Sequence, residues 1–184
     1  LVETIHLRSN GQSRKATGAA ASNLDLYQVN CTFYDAIGRR DTEYLIARAL
    51  QLFAPGIPQV YYVGLLAGCN DMDLLARTGV GRDINRHYYT PAEVEEELKR
   101  PVVQGQIDLI RFRNTHPAFS GQFSVAAPAP GRIEMAWARG ADWARLEADL
   151  SAAQAWITCS SPCGEKRYAV APGRAGIAGW NAQS

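Results

Sequence analysis

Two polar stretches of this chain carry side chains suited to holding a small polar ligand. The first covers residues 23–32 and includes Asp25 and Tyr27, and the second is Gly81-Arg82-Asp83. A carboxylate accepts hydrogen bonds, a phenol both donates and accepts them, and a guanidinium offers a planar fork of donors that can grip two hydroxyls or a carboxylate. Side chains of these types could therefore contact a small polar ligand.

The same residues also have ordinary structural explanations. An Asp before Leu-Tyr commonly caps a loop, and a single tyrosine in a loop packs more often than it binds a ligand. Arg82 has acidic neighbours along the chain in Asp71 and Asp73, with which it could form a plain salt bridge. Residue types alone leave both explanations open.

The cysteines and histidines show neither a disulfide framework nor a metal-binding pattern. Four cysteines are too few and too widely spaced for a framework, and the Cys-Ser-Ser-Pro-Cys run at 159–163 has one residue too many for a redox Cys-x-x-Cys pair. The three histidines are far apart, so no local zinc motif exists. We expect free thiols, no metal and no cofactor. The residues concerned are Cys31, Cys69, Cys159, Cys163, His6, His87 and His116.

Length and charge limit the classes of protein to which the chain can belong. It has 184 residues, 47% of them hydrophobic, and a formal net charge of +1. Scattered basic residues argue against a nucleic-acid surface, and no apolar run approaches the roughly 18 residues of a membrane span. A complete eightfold α/β barrel needs about 200 to 250 residues, so a whole one does not fit.

The first part of the chain predicts helices and a buried strand. Residues 1–30 lack a steady hydrophobic period and predict a long loop, with at most a short helix near Val2–Leu7. Apolar residues at helical spacing predict a helix over Asp41–Phe53, which Pro55-Gly56 ends. The near-continuous apolar run Ile57–Val63 predicts a parallel strand that is covered on both faces.

Two further helices and an antiparallel region follow. The sequence Thr90-Pro91-Ala92-Glu93 is a capping box with proline at the first helical position. Another helix is predicted from Pro101 to about Asn114, with Val103, Ile107 and Ile110 on one face, and His116-Pro117 ends it. Beyond Gly121, apolar and polar residues alternate in two runs, which predicts antiparallel strands with one solvated face. The apolar members of these runs are Ile133, Met135, Trp137, Leu146, Ala148 and Leu150.

Three stretches of the chain resemble the sucrose phosphorylases, which belong to family 13 of the glycoside hydrolases, the α-amylase superfamily. They are residues 23–32, 55–68 and 81–89. The resemblance runs from Leu1 to about Phe123 and more loosely to about residue 158. It implies an α/β fold: the C-terminal portion of an eightfold α/β (TIM) barrel followed by a small antiparallel β domain, with Ile57–Val63 as the eighth barrel strand.

The implied domains are residues 1–120 as the C-terminal part of the catalytic barrel with its substrate loop, 121–158 as the small β domain, and 159–184 as a divergent tail of unclear structure. The implied activity is that of a glycosyltransferase (a hexosyltransferase) of carbohydrate metabolism. It transfers the α-glucosyl unit of sucrose to phosphate with retention and gives α-glucose-1-phosphate and fructose.

The resemblance places the family's catalytic carboxylates N-terminal to this region, and the chain contains no His-Asp dipeptide. No catalytic residue is therefore assigned, and we expect a C-terminal fragment that is inactive alone. Substrate binding can be carried over: Asp25, Leu26, Tyr27 and Gln28 match the family's mobile acceptor-site loop, and Arg82 matches an arginine that helps to hold the glucosyl unit.

The implied partners are sucrose, fructose, glucose-1-phosphate and inorganic phosphate, with no nucleic acid and no membrane. The resemblance also implies a cytoplasmic enzyme and allows a homodimer of the full-length protein. His87 lies near Arg82 in sequence, but the resemblance gives it no role, so a structural one is expected.

Two alternatives remain. The first is another α-glucosyl phosphorylase of the same family, acting on sucrose 6'-phosphate or a glucosylglycerate. Asp25 and Tyr27 favour a neutral fructose, because a phosphorylated acceptor would require more basic groups in that loop. The second is a non-catalytic carbohydrate-binding β module that stacks sugars on Trp137, Trp143 and Trp156. Alternation places Trp137 on the core face, which disfavours this module.

Overall fold

The computed structural model of the chain describes residues 1–20 and 29–173. These residues form two compact units. The first comprises residues 1–40 and 60–98, and the second comprises residues 41–59 and the chain from residue 99 onward. The described helices include none that is both long and apolar enough to cross a membrane.

The first unit is helical in its described residues. Its first helices are α1 (Val2–Arg8), α2 (Gln12–Ala20) and α3 (Phe33–Ala36). The next helix in the chain, α4 (Asp41–Phe53), belongs to the second unit. The first unit continues with α5 (Tyr62–Leu65), α6 (Met72–Thr78), a 3-10 helix at Gly81–Asn85, and α7 (Pro91–Glu97). The predicted capping box is confirmed at α7, where the side chains and backbone N–H groups of Thr90 and Glu93 bond reciprocally.

Two predictions for this part of the chain are wrong. The short first helix is present, but residues 12–20 form α2 where a loop was expected. Residues 57–61 form no strand, Ile57 is 92% exposed, and α5 begins at Tyr62. A parallel strand takes its hydrogen bonds from neighbouring strands, and the sheet in the described residues is entirely antiparallel.

The second unit packs helices against an antiparallel sheet. It contains α4 (Asp41–Phe53), α8 (Pro101–Thr115), a 3-10 helix at Pro117–Ser120, and strands β1 (Gln122–Ala129), β2 (Arg132–Arg139), β3 (Asp142–Asp149), β4 (Gln154–Ser161) and β5 (Gly164–Ala169). The spatial order of the strands is the same as their chain order. Helix α4 contacts both α8 and the central strands β2, β3 and β4.

The core of the second unit follows the predicted patterns in most places. Met135, Trp137, Leu146 and Ala148 are buried on one face of the sheet, as alternation predicts. Leu150 lies in the turn after β3 and is 47% exposed. On α8, Val103 is buried, whereas Ile107 and Ile110 are only half-buried, and the fully packed face includes Val102, Leu109 and Phe112.

The sheet extends beyond the boundary that the sequence predicts at residue 158. Strand β4 continues to Ser161, and β5 pairs with it from Ser161↔Gly164 to Trp156↔Ala169. Cys159 is fully buried, because it lies on the inner face of β4. Residues 159–169 thus complete the sheet, and the four cysteines are free thiols.

Candidate substrate-binding site

The predicted binding residues fall on two segments, of which the structure describes one. Asp25, Leu26, Tyr27 and Gln28 lie outside the described residues, so their role stays a prediction. Arg82 lies in the 3-10 helix Gly81–Asn85, and its side chain is exposed. The site can therefore be built from the Arg82 turn and from the two described ends that border residues 21–28.

The Arg82 turn rests on a small core that it shares with α2. Ile84, two residues after Arg82, is fully buried against Ala16 of α2 and Leu75 of α6. The backbone of the turn is also tied down, because the N–H of Asp71 donates to the carbonyl of Ile84 at 2.7 Å. The helix that leads toward residue 20 and the turn that carries Arg82 are thus packed together.

The alternative of a plain salt bridge for Arg82 is not what the structure contains. Within residues 1–20 and 29–173, no ion pair joins Arg82 to Asp71 or Asp73. Asp71 instead caps the N-terminus of α6, where one of its carboxylate oxygens accepts from the N–H of Leu74 at 2.7 Å. The guanidinium of Arg82 is presented at the surface of the turn.

His87 contacts two carboxylates. Its Nδ1 lies 2.7 Å from Oδ2 of Asp71, and its Nε2 lies 3.6 Å from Oε1 of Glu93. Burial opposes ionisation of Asp71, but the hydrogen bonds from the Leu74 N–H and from His87 lower the pKa of Asp71 below its ordinary value. His87 therefore links the start of α6 to the start of α7.

A cleft of about 470 Å³ lies beside His87. The Tyr62 hydroxyl donates to the His87 carbonyl at 2.9 Å, and burial together with the hydrogen bond to Tyr61 raises the pKa of Tyr62 to about 12. The cleft is lined by Tyr62, Leu65, Leu66, His87, Tyr88, Tyr89, Val94 and Leu98. Its walls are mainly apolar and aromatic, which suits a ring face better than an ion.

Thr32, which follows residues 21–28 in the chain, belongs to a buried polar network. Oδ1 of Asn70 accepts from the N–H of Thr32 at 2.8 Å, and the N–H of Asn70 donates to Oδ2 of Asp35 at 2.8 Å. Asp35 also accepts from the Thr32 hydroxyl at 3.0 Å and from Nε of Arg39 at 2.8 Å. Thr32, Asp35 and Asn70 are all buried.

Sequence reasoning did not identify Asn70 and Asp35. The pattern Thr32-x-x-Asp35 is a local signal, since Thr32 caps α3 and accepts from the Asp35 N–H. The contacts of Asn70 span 35 and 38 residues, so no local pattern contains them. In the described part of the chain, no group of three or more His, Cys, Asp or Glu side chains could hold a metal ion.

Comparisons with known proteins point to one family. The chain is 63% identical to the sucrose phosphorylase of Agrobacterium vitis over 160 aligned residues. These residues make up 87% of this chain and 33% of that protein. It is 58% identical to the sucrose phosphorylase of Bifidobacterium adolescentis over 137 aligned residues, which make up 74% of this chain and 27% of that protein. No protein-family model matches.

A solved structure agrees with these relatives. The crystal structure of sucrose 6F-phosphate phosphorylase from Thermoanaerobacter thermosaccharolyticum superposes with a TM-score of 0.77 at 38% identity, and covers 85% of this chain and 35% of that one. The chain spans about a third of the length of these proteins. With such identity across most of its length, this chain belongs to the sucrose phosphorylase family.

Proposed function

We propose that this chain forms part of a sucrose phosphorylase, a hexosyltransferase that converts sucrose and phosphate into α-glucose-1-phosphate and fructose. The observation that carries the proposal is the 63% identity over 160 residues to the sucrose phosphorylase of Agrobacterium vitis. The matched residues make up most of the chain, and their identity of 63% is higher than the 38% identity to the solved sucrose 6F-phosphate phosphorylase. Sucrose itself is therefore the preferred donor.

The proposed fold of the whole enzyme is a TIM barrel to which residues 1–120 contribute. The exposure of Ile57, Tyr61 and Tyr62 supports a larger fold, because large apolar side chains at 92%, 53% and 40% exposure are suited to burial by further chain.

The proposed chemistry is a double displacement. In the complete enzyme, a carboxylate that is not among the residues assigned to this chain attacks the glucosyl carbon, and the bond from that carbon to the fructosyl oxygen breaks. A second, protonated carboxyl group gives its proton to that oxygen. Phosphate then attacks the glucosyl–enzyme and restores the first carboxylate. Arg82 binds hydroxyls of the glucosyl unit in both steps. Asp25, Leu26, Tyr27 and Gln28 form the acceptor side, with Asp25 toward fructose and Tyr27 toward phosphate.

The remaining parts of the proposal concern the setting of the enzyme. We place it in the cytoplasm, where free thiols such as the four cysteines of this chain persist. We also propose a homodimer of the full-length protein. Sucrose, fructose, phosphate and α-glucose-1-phosphate are its small-molecule partners.

A chimaera tests the function directly. The 160 residues of the Agrobacterium vitis enzyme that match this chain are replaced by the residues of this chain, and release of α-glucose-1-phosphate from sucrose and phosphate is measured. We expect kcat/KM within about tenfold of the parent, since only side-chain differences of modest energy are introduced. Sucrose 6'-phosphate serves as the control donor. A folded chimaera without phosphorolysis, or one that prefers the phosphorylated donor, would contradict the proposal.

A further inference from the structure

The outer face of the sheet in the second unit carries an exposed tryptophan beside a cleft. Ile157 and Cys159 of β4 are fully buried on the inner face, so the alternation of the strand places Trp156 on the outer face, where it is 39% exposed. A cleft of about 330 Å³ opens beside Trp156, which is within the size range of small-molecule sites. The charged residues that line this cleft are Arg132, Glu134, Glu147, Asp149 and Arg167.

Two of these carboxylates lie opposite each other next to the indole. Glu134 of β2 pairs with Glu147 of β3, and Glu147 pairs in turn with Trp156 of β4. Like charges directly opposite on neighbouring strands destabilise a sheet. Glu147 has a long ion pair with Nε of Arg145 at 3.9 Å, and within residues 1–20 and 29–173 Glu134 has no hydrogen-bond or ion-pair partner. Both carboxylates are half-buried, so a neutral hydrogen-bond donor between them would relieve their repulsion.

The cations of the cleft limit the charge that a ligand can carry. The guanidinium carbon of Arg167 lies 4.5 Å from the centroid of the Trp156 ring, and Nε of Arg132 lies 3.1 Å from Oδ2 of Asp149. A cationic ligand at the indole would meet the charge of Arg167, and an anionic ligand would meet the two glutamate carboxylates. A neutral ligand with hydroxyl groups avoids both repulsions, and its hydroxyls can donate to the carboxylates.

The indole adds a flat apolar surface to these acceptors. Arg167 approaches Trp156 from β5, whereas the two glutamates lie on the other side of β4, on β2 and β3. In the described part of the chain, no further aromatic ring or cation lies against this indole. The negative face of an aromatic ring attracts polarised C–H groups, and a pyranose ring presents such groups on its flat side and hydroxyls at its edge.

We propose that this cleft binds a neutral pyranose saccharide. The sugar ring stacks on Trp156, and its hydroxyls donate to Glu134 and Glu147. Arg167 holds the indole from the side of β5. The proposal uses residues of the second unit only, so it goes beyond the proposed function and does not depend on it.

The first test follows the indole N–H signals of the 184-residue chain by NMR while methyl α-glucopyranoside, a neutral sugar with one pyranose ring, is added. The Trp156 signal is identified as the one that is missing in Trp156→Phe. We expect this signal to shift and to saturate, because the sugar contacts the indole directly. Glycerol, which has hydroxyl groups but no ring, is the control ligand and should leave the signal unchanged.

The second test measures the dissociation constant of the same sugar for variants of the chain, by NMR of the sugar protons. Trp156→Ala should weaken binding about tenfold through loss of the stacking surface. Trp143→Ala is the matched control and should bind as the unsubstituted chain does, because Trp143 lies on the same face of the sheet but does not line the cleft.

Glu134→Gln gives a second readout that a purely structural role would not produce. It replaces a charge-assisted hydrogen bond to the sugar with a weaker one, so we expect binding to weaken severalfold. It also removes the repulsion with Glu147, so we expect the midpoint of urea unfolding to rise. Circular dichroism checks the fold of each variant, and Glu134→Gln decides the matter if Trp156→Ala does not fold.

Three results would overturn the proposal. The first is a Trp156 signal that does not respond to the sugar, or that responds equally to glycerol. The second is tighter binding of a lysine peptide than of the sugar, which would make the cleft a cation site. The third is sugar binding that is lost in Arg82→Ala and retained in Trp156→Ala. None of these measurements requires phosphorolysis, so failure of the proposed function would leave them unaffected.

Discussion

At the scale of single residues, the candidate site combines an exposed cation with a polar framework that supports it. Arg82 lies on a short helical turn, and the neighbouring residues Asp71, Leu74 and His87 form hydrogen bonds with one another. Such an arrangement fits a binding group whose partner is the ligand, because a guanidinium fork matches paired hydroxyls on one sugar ring.

Substitutions of Asp25 and of Tyr27 in the chimaera should impair different half-reactions. Asp25→Asn removes the charge that strengthens hydrogen bonds to fructose hydroxyls, so it should chiefly impair the use of fructose in the reverse direction. Tyr27→Ala removes a donor to phosphate and should raise the phosphate KM more than the sucrose KM. Loss of one hydrogen bond to a charged ligand costs about 1.5 to 3 kcal/mol, or roughly ten- to a hundredfold.

The measurement is of initial rates against varied phosphate and varied fructose. Arg82→Ala is the internal comparison, since both half-reactions contain the glucosyl unit and both should weaken. Hydrolysis of sucrose should survive Tyr27→Ala better than phosphorolysis does, because water needs no anion site. Equal losses in the two half-reactions for Asp25→Asn and Tyr27→Ala would show that the loop does not divide its ligands in this way.

At the scale of elements, the sequence predicted what local patterns determine. Helix α4 and the capping box of α7 are encoded within a few turns, and the alternation of β2 and β3 places Trp137 and Leu146 in the core. Helix α2 was missed because its sequence, QSRKATGAA, is polar and small. The strand predicted at Ile57–Val63 requires partners that local sequence does not contain, and the Asn70 contacts join residues far apart.

The junction between α8 and the sheet should make stability depend on pH. At the end of α8, Nδ1 of His116 accepts from the Ala118 N–H at 3.2 Å, so Nε2 carries the proton that is donated to the Ser160 carbonyl at 3.1 Å. A second proton on Nδ1 would face the Ala118 N–H. Burial lowers the pKa of His116 below its ordinary value, although the hydrogen bond to the Ser160 carbonyl raises it in part.

Because the unfolded chain, with a histidine pKa of about 6.5, binds the proton more readily, the stabilisation from His116 is complete above that pH. It is lost as the pH falls from about 6.5 toward the lowered pKa of the folded state. Urea unfolding of the chain at a series of pH values measures this slope. In His116→Asn, which cannot titrate, the slope in that window should be smaller. An unchanged slope in this variant would assign the pH dependence to other groups.

At the scale of the whole molecule, the chain carries proposed binding residues and has no assigned nucleophile or general acid. It spans about a third of the length of its relatives, and the resemblance to the family assigns it no catalytic residue. We therefore expect the purified 184-residue chain to release no α-glucose-1-phosphate from sucrose and phosphate, since positioned groups accelerate nothing without reacting ones. A coupled assay for glucose-1-phosphate measures this, with the chimaera as positive control. Turnover by the chain alone would require catalytic residues within it.

The strands of the sheet lie side by side in the order in which they occur in the chain, and this order affects how the sheet folds during synthesis. Each strand pairs with the next, across connections of two residues (130–131), two (140–141), four (150–153) and two (162–163). Closing such short connections costs little entropy, and topologies with near-neighbour contacts fold fast. During synthesis, every strand after β1 emerges beside an edge that already exists. The sheet can thus assemble in step with translation, hairpin by hairpin, and no strand must wait for a distant partner.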